Sequence, residues 1–195
     1  MQKLLITGFD PFAHYSLNPS WEAVQSLPDV INNYQLPKLR LPNIFGLAPR
    51  LLLEEAKRVQ PDIILMTGMN SGTTNIEINL AALNIQDAFI EDNLGHKPWN
   101  KPIIEGAPAA YFATIPVHEL VNGLRAQELP VQLAFASGGF VCNEIFYHAL
   151  HAYTNTAVQV GFVHVPLMPE MVFDEALVRP IEETSKILQD IISRL

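Results

Sequence analysis

The chain is poor in cysteine, and Cys142 is the only one among its 195 residues. A single thiol excludes a disulfide within the chain and suits a reducing compartment, so we expect a cytoplasmic protein. Basic charge is scarce as well, because 12 Lys and Arg stand against 20 Asp and Glu, which gives a formal net charge of −8. The basic residues are scattered, and this acidic balance argues against nucleic acid as a partner.

Long apolar runs and targeting segments are also missing. No apolar run approaches the roughly 20 residues that a membrane-spanning helix needs, so we expect no membrane association. The apolar run at the N-terminus is too short for a signal peptide and no cleavage site follows, so residues 3–9 are predicted to form a first strand. Hydrophobic residues still make up 49% of the chain. We therefore expect residues 1–195 to form a single domain with a real core.

What the chain does contain is an alternation of strand-like and helix-like segments. This order predicts an α/β fold: a three-layer sandwich in which helices cover both faces of a mainly parallel, twisted sheet. Residues 75–90 have an alternation that suggests strands leaving the main sheet, and residues 91–109 are typical of a loop. The predicted strands span residues 3–9, 36–41, 62–69, 111–115, 131–136 and 161–166, and the predicted helices span 20–27, 46–60, 117–127, 144–150 and 181–195.

The lone cysteine falls where such a sheet would place a catalytic group. Cys142 lies between the predicted strand 131–136 and the predicted helix 144–150. The free N–H groups of a first helical turn carry partial positive charge, which we expect to lower the pKa of Cys142 and to favour its thiolate. His164 lies near the end of the next strand. This order suits a hydrolase with a cysteine nucleophile and a histidine base, whereas the alternative is a buried structural cysteine and a core histidine.

Eight short motifs follow one another between residue 1 and about residue 170. They are Thr-Gly-Phe-Asp-Pro-Phe at 7–12, Asn-Pro-Ser at 18–20, Gly68 with Gly72, Asn-Ile-x-Asp-Ala at 84–88, Asp-Asn at 92–93, residues 109–117, Val-Cys-Asn at 141–143 and Gly-Phe-Val-His-Val-Pro at 161–166. Any one of them is weak, but in their order and spacing together the chain resembles the pyroglutamyl peptidase I family, the pyrrolidone-carboxylate peptidases, which are cysteine peptidases.

The resemblance implies a reaction and a site. Cys142 would attack the carbonyl that joins an N-terminal pyroglutamyl group to the rest of a peptide, and His164 would take the thiol proton and return one to the leaving amine. Backbone N–H groups at the start of the helix would stabilise the oxyanion. The resemblance implies a peptide with a blocked N-terminus as the substrate and allows further copies of the chain as partners. It implies neither a cofactor nor a metal. By similarity the lactam would lie in an apolar slot formed by Phe9, Phe12, Ile90, Phe140 and Val141. Asn18 would help to fix the geometry of this slot.

The chain also departs from the family pattern at polar positions near this site. The Glu that orients the catalytic histidine in the family is Asn79 here, and a Glu occurs two residues earlier, at Glu77. Met69, which we place in the substrate pocket, stands where the family has a Gln. Ser71 stands where the family has a Gly, and Thr73, Leu80 and Phe89 each stand where it has an Arg.

These departures leave three interpretations. In the first, Asn79 orients His164 by accepting the imidazole N–H, as in Cys-His-Asn enzymes. In the second, Glu77 does so, because residues 77 and 79 of an extended strand face the same side. In the third, peptidase activity is weak, altered or lost, and the protein is another amidase or a binding protein. The surviving Cys142 and His164 favour retained chemistry, so we predict a cysteine exopeptidase that removes N-terminal pyroglutamyl groups.

Overall fold

A computed structural model describes residues 1–172 and 177–195 of the chain. Within them, nine strands form one sheet and five α-helices surround it. The strands are β1 (Gln2–Phe9), β2 (Val30–Ile31), β3 (Tyr34–Gln35), β4 (Lys38–Leu41), β5 (Ile63–Met69), β6 (Ile76–Leu83), β7 (Ala110–Phe112), β8 (Val131–Ala136) and β9 (Gln159–Val165). The helices are α1 (Pro19–Ser26), α2 (Leu47–Val59), α3 (Val117–Arg125), α4 (Val141–Ala152) and α5 (Ile181–Ile192), with a 3₁₀ helix at Pro169–Met171.

The sheet is mainly parallel, as predicted. Its order is β2-β3-β1-β5-β9-β6-β7, with β4 beside β1 and β8 beside β6. Strands β1, β3, β4, β5 and β9 run in one direction. The expectation that residues 75–90 leave the main sheet is wrong for residues 76–83, because β6 pairs antiparallel with β9 through Glu77 opposite His164 and Ile78 opposite Val163. The short strands β2 and β3 give no signal in the sequence, since each has only two residues.

Two hydrophobic clusters lie on opposite faces of the sheet and confirm the three-layer arrangement. Successive side chains of β1 alternate between them: Leu4 and Ile6 belong to one cluster, and Leu5 belongs to the other. The first cluster is covered by α1, α3 and α5, and the second by α2 and α4. None of the helices in the described part of the chain is long and apolar enough to cross a membrane.

Helix α4 begins three residues earlier than its hydrophobic pattern predicts, and this places the cysteine inside the helix. The N–H groups of Asn143 and Glu144 both donate to the carbonyl oxygen of Phe140, at 3.0 and 3.2 Å. Phe140 therefore acts as the N-cap, and Cys142 occupies the second position of the first turn. A sequence pattern reports only where apolar residues repeat, so it could not detect this polar first turn.

Candidate active site

A pocket of about 380 Å³ opens at the edge of the sheet where the central parallel strands end. Phe9 is the last residue of β1, and His164 is the last but one of β9. Because β6 runs antiparallel to β9, its first half brings Glu77 and Asn79 to the same edge. The pocket is lined by Phe9, Phe12, Asn18, Asn43, Met69, Asn70, Ser71, Glu77, Phe89, Ala136, Ser137, Gly138, Gly139, Phe140, Cys142 and His164.

Gly68 creates the space in which the thiol and the imidazole approach each other. A Cβ atom added at Gly68 would lie 2.6 Å from Cys142 Sγ and 3.3 Å from His164 Cδ2. Any side chain at this position would displace both groups. No hydrogen bond joins Cys142 to His164 in the described residues, which is the open geometry that catalytic pairs often have before substrate binds.

Burial decides the protonation of both groups. Cys142 and His164 are each only 8% exposed. Burial raises the pKa of Cys142 to about 12 and outweighs the lowering effect of its own backbone N–H. Burial also lowers the pKa of His164 to about 4, although the charge of Glu77 raises it. The expectation of a helix-stabilised thiolate is therefore wrong: at neutral pH the resting pair is a thiol and a neutral imidazole, because lost solvation outweighs the helix dipole.

Asn79 is the residue that contacts the imidazole. Its fully buried side chain places Nδ2 3.1 Å from His164 Nδ1. The same amide group donates to the carbonyl oxygens of Glu77 at 3.3 Å and Phe162 at 3.5 Å, while Ser137 Oγ donates to Asn79 Oδ1 at 3.3 Å. The two carbonyl oxygens beside Nδ2 and the hydroxyl that donates to Oδ1 orient the amide with its nitrogen toward the ring.

The tautomer of His164 follows from this orientation. Nδ2 of Asn79 faces His164 Nδ1, and an amide nitrogen can only donate, so this amide orientation requires the neutral ring to carry its proton on Nε2. In this orientation the amide nitrogen of Asn79 faces the imidazole, and not the amide oxygen as the first interpretation expects. Asn79 positions the ring, but through its donor end.

Glu77 lies beside His164 but hydrogen-bonds elsewhere. Its two carboxylate oxygens accept from Asn70 Nδ2 and from Gln132 Nε2, each at 2.7 Å. Its charge raises the pKa of His164. The structure thus gives Glu77 an electrostatic influence on the ring, and it does not show the direct contact that the second interpretation requires.

The first turn of α4 offers N–H groups beside the thiol. Val141 and Cys142 occupy the first two helical positions, where backbone N–H groups have no carbonyl partner within the helix. The preceding loop turns sharply, because Gly138 has a φ of 81° and Gly139 leaves no room for a Cβ, which would lie 2.8 Å from Asp87 O. These N–H groups can therefore receive an oxyanion formed by attack of Cys142 Sγ.

The opposite side of the pocket is aromatic. The Phe140 ring lies 5.9 Å from Phe12, 5.3 Å from Phe45 and 5.7 Å from Phe89, measured between centroids. Of the predicted substrate-binding residues, Phe9, Phe12, Asn18, Met69 and Phe140 line the pocket. Ile90 and Val141 do not, since Ile90 packs against the second hydrophobic cluster and Val141 is fully buried within it.

Asn18 supports this aromatic wall through hydrogen bonds at the end of β1 and the start of α1. Its Nδ2 donates to Asp10 O at 2.9 Å, and its Oδ1 accepts from the backbone N–H and the hydroxyl of Ser20 at 3.1 and 2.8 Å. Ser20 Oγ in turn accepts the N–H of Phe9 at 3.0 Å. Asn18 therefore caps α1 and fixes the end of β1, where Phe9 enters the pocket.

Two buried carboxylates anchor the loops around the aromatic wall: Asp92, which belongs to one of the family motifs, and Glu144, which no sequence pattern singled out. Asp92 accepts the N–H groups of Phe45 at 3.0 Å and of Leu94 and His96 at 2.8 Å. Although burial raises the pKa of Asp92, these backbone donors lower it below its ordinary value. Glu144 accepts from Gly46 N at 3.0 Å and Gln86 Nε2 at 2.6 Å, and burial raises its pKa.

Comparison with known proteins gives a consistent result. A family model described as "Pyroglutamyl peptidase" matches residues 2–192. The chain is 40% identical over 179 residues to the pyrrolidone-carboxylate peptidase of Thermococcus kodakarensis, covering 89% of this chain and 85% of that protein. It is 39% identical over 174 residues to the enzyme of the same name from Pseudomonas fluorescens, covering 88% and 82%. Crystalline pyroglutamyl peptidase I from Bacillus amyloliquefaciens superposes with a TM-score of 0.94 at 31% identity, covering 99% of this chain and 96% of that one.

Proposed function

This chain belongs to the pyroglutamyl peptidase family, and from that premise we propose that it is a cysteine exopeptidase that removes N-terminal pyroglutamyl groups from peptides. The observation that supports this most directly is the meeting of Cys142 and His164 across Gly68, at the wall of an aromatic pocket. A nucleophile and a base thus line one cavity, and the nucleophile lies in the first turn of a helix. That set of groups suits acyl transfer.

The first half of the reaction forms a thioester. Cys142 Sγ attacks the carbonyl carbon of the scissile amide, the thiol proton passes to His164 Nε2, and the carbonyl electrons move onto the oxygen beside the N–H groups of Val141 and Cys142. The imidazolium then gives its proton to the amide nitrogen, and the C–N bond breaks to release the shortened peptide. Water, deprotonated by His164, hydrolyses the thioester and frees pyroglutamate.

The resting tautomer makes the proton transfer slow. His164 Nε2 can accept the thiol proton only if the ring carries its other proton on Nδ1, which requires the Asn79 amide to turn its oxygen toward the ring. That turn would bring Asn79 Oδ1 to the places where Nδ2 now faces the carbonyl oxygens of Glu77 and Phe162. We therefore expect genuine but slow turnover, in agreement with the retained nucleophile and base.

The test is hydrolysis of pyroglutamyl-aminomethylcoumarin by the wild-type protein and by Cys142→Ala. We expect the wild type to release the fluorophore and Cys142→Ala to release none, while its circular dichroism and melting temperature stay close to those of the wild type. Prolyl-aminomethylcoumarin, which has the ring without the lactam carbonyl, serves as the substrate control. Release that survives Cys142→Ala, or a wild type inactive on every pyroglutamyl substrate, would refute the proposal.

We further propose that residues 1–195 act as one domain in the cytoplasm and assemble as a homo-oligomer, without nucleic acid or membrane partners. The net charge of −8 and the single thiol support this setting. Phe112 on β7 and Phe135 on β8 are 67% and 74% exposed, and both strands flank β6. Exposed aromatic side chains on neighbouring strands favour a protein interface. Sedimentation of the wild type and of Phe135→Ser would show whether this face joins two copies.

A further inference from the structure

Three asparagines line the pocket, and two of them use both ends of their amides for bonds within the protein. Asn18 holds Asp10 and Ser20, as described above. Asn70 donates from Nδ2 to Glu77 at 2.7 Å and accepts the N–H of Gly72 on Oδ1 at 2.9 Å. These two side chains support the walls and have little capacity left for a ligand.

The third asparagine, Asn43, is different. It is only 2% exposed, and its Oδ1 has no hydrogen-bond partner anywhere in residues 1–172 and 177–195. Its backbone is fixed, because its carbonyl oxygen accepts the N–H of Asn93 at 3.0 Å. Asn43 lines the pocket, although its Oδ1 itself has almost no accessible surface in this structure. Buried polar groups in folded proteins nearly always have a partner, so the unpaired amide oxygen of a residue in the pocket wall indicates a partner that arrives with the ligand, once the amide turns toward it.

The position of Asn43 in the sheet fits such a ligand. Asn43 follows β4, which pairs with β1 through Leu41 and Phe9. Strand β1 in turn pairs with β5, and Cys142 Sγ lies against Gly68 of β5. Neighbouring strands are about 4.8 Å apart, so β4 is separated from β5 by about 10 Å. That is the span of a scissile carbonyl, the five-membered ring attached to it and one hydrogen bond. A lactam whose carbonyl substituent is held at Cys142 therefore reaches toward Asn43.

We propose that Asn43 recognises the lactam of the pyroglutamyl group through a pair of hydrogen bonds: its Oδ1 accepts the ring N–H, and its Nδ2 donates to the ring carbonyl. This inference rests on the proposed function and names a specificity residue within that site. The ring forces the lactam amide to be cis, so its N–H and C=O lie side by side on one edge. A primary amide presents an acceptor and a donor side by side in the same way. An N-terminal proline has an ammonium and no ring carbonyl, and would leave half of the Asn43 amide unpaired.

The probe is 2-pyrrolidone, the lactam alone, titrated into ¹⁵N-labelled wild-type protein and followed by NMR. Two analogues of the same ring size isolate the two hydrogen bonds. N-methyl-2-pyrrolidone lacks the N–H, and cyclopentanone replaces the amide by a ketone. We expect 2-pyrrolidone to shift the Asn43 side-chain NH₂ signals and to bind about 10-fold or more tightly than either analogue, because each analogue leaves a buried polar group unpaired.

The matched variant is Asn43→Leu, which keeps approximate size and shape but has no polar atoms. It should weaken 2-pyrrolidone binding by about 10- to 100-fold and bind all three probes alike. Its melting temperature should not fall, since the substitution removes an unpaired buried oxygen; an asparagine with a merely structural role would lower it. Asn122→Leu makes the same change at an exposed position of α3 and should leave the binding of every probe unchanged.

The outcomes separate this inference from the proposed function. Binding of 2-pyrrolidone that depends on Asn43, in a protein without pyroglutamyl hydrolysis, would support the lactam site and refute the peptidase. Hydrolysis with equal binding of 2-pyrrolidone by wild type and Asn43→Leu would refute the lactam site and leave the peptidase standing. Failure of 2-pyrrolidone to bind, or equal affinity for N-methyl-2-pyrrolidone, would also overturn the role of Asn43 and would mean that only water meets its amide.

Discussion

The two ends of the pocket are built on different kinds of structure. At the catalytic end, Gly68, His164 and Asn79 lie on the regular strands β5, β9 and β6. At the recognition end, which comprises residues 43–46, 86–93 and 140, the chain has mostly irregular loops. The strands hold their residues through backbone ladders, whereas the loops depend on the buried carboxylates Asp92 and Glu144.

The two ends also differ in the protonation of their buried titratable groups. At the catalytic end burial keeps both reacting groups neutral, because lost solvation disfavours the thiolate and the imidazolium. At the recognition end Asp92 stays ionised, since three backbone N–H groups replace the water it has lost. The comparison predicts that changes at the catalytic end alter the rate, and that changes at the recognition end alter stability and substrate affinity.

The largest expected effect comes from Asn79→Asp. A carboxylate must accept from His164 Nδ1, so it would move the resting proton from Nε2 to Nδ1 and free Nε2 for the thiol proton. In Ser-His-Asp proteases the opposite change, Asp to Asn, costs about 10⁴-fold in kcat through the wrong tautomer, so we expect a gain on the order of 10²- to 10⁴-fold here. Pyroglutamyl-aminomethylcoumarin turnover measures it.

A spectroscopic control accompanies this variant. Long-range ¹⁵N NMR of the wild type should show the proton of neutral His164 on Nε2, with the resonance identified by its loss in His164→Gln. Asn79→Ala removes the donor without supplying an acceptor and should give no comparable gain. A wild-type proton on Nδ1, together with slower turnover of Asn79→Asp, would show that the amide oxygen already faces the ring.

The next effect is a loss of stability in acid that originates at the catalytic end. The pKa of His164 is lowered to about 4 in the folded state, against an ordinary value of 6.5. The unfolded chain therefore binds more protons between these values, and the free energy of unfolding falls as the pH drops from 6.5 toward 4. The full shift corresponds to about 3 kcal/mol. The pKa of Asp92 is also lowered in the folded state, so its contribution to the free energy of unfolding is likewise lost as the pH falls.

Denaturant melts at pH 7, 5.5 and 4 would measure this dependence. His164→Gln has no titrating ring, so its free energy of unfolding should change less across this range than that of the wild type. The neutral ring should also let hydrolysis persist below pH 6.5, because the base is not yet protonated there. An acid limb near pH 6.5, or equal pH dependence in both proteins, would show that His164 is solvated.

A smaller effect is expected at the recognition end from Asp92→Ala. The variant leaves the N–H groups of Phe45, Leu94 and His96 without their acceptor, and we expect a cost of about 2 kcal/mol, or roughly 4–8 °C in Tm. KM for pyroglutamyl substrates should rise more than kcat falls, since the loop that carries Phe45 loosens while the strands do not. Asp92→Asn keeps one acceptor oxygen and should cost less. A drop in kcat with unchanged KM would contradict the division between the two ends.

The smallest effect is expected from Glu77→Gln. The charge of Glu77 raises the pKa of His164, so its removal should move the acid limb of kcat/KM to lower pH, while the rate at pH 7 changes by less than about threefold. This variant separates an electrostatic influence from a positioning role. A loss of several orders of magnitude would mean that Glu77 holds the imidazole during turnover.

The residues of the site that could be predicted are those whose place follows from their neighbours in the sequence or from the end of a strand. The position of His164 followed from its place near the end of β9, because the carboxyl ends of parallel strands share one edge. Cys142 was expected at that edge for the same reason, but β8 runs antiparallel to β9, and it is the loop between β8 and α4 that brings Cys142 to the pocket. Asn79 and Glu77 were both candidates, since an extended strand puts them on the same side. Their alternation could not decide between them, because the choice depended on Asn70 and Gln132, which occupy the Glu77 carboxylate.

The sequence by itself determined the layers of the fold and the identity of the nucleophile and base. Alternating apolar periods specify strands and helices, and a single cysteine leaves only one thiol to assign. Only the tertiary structure decided the protonation of that pair, the donor end of Asn79 and the unpaired oxygen of Asn43. These properties depend on burial and on partners distant in the chain: Phe162 lies 83 residues from Asn79, and Asp92 lies 47 from Phe45. Local patterns carry no information about such contacts, because solvation and hydrogen bonding are set by what surrounds an atom in space.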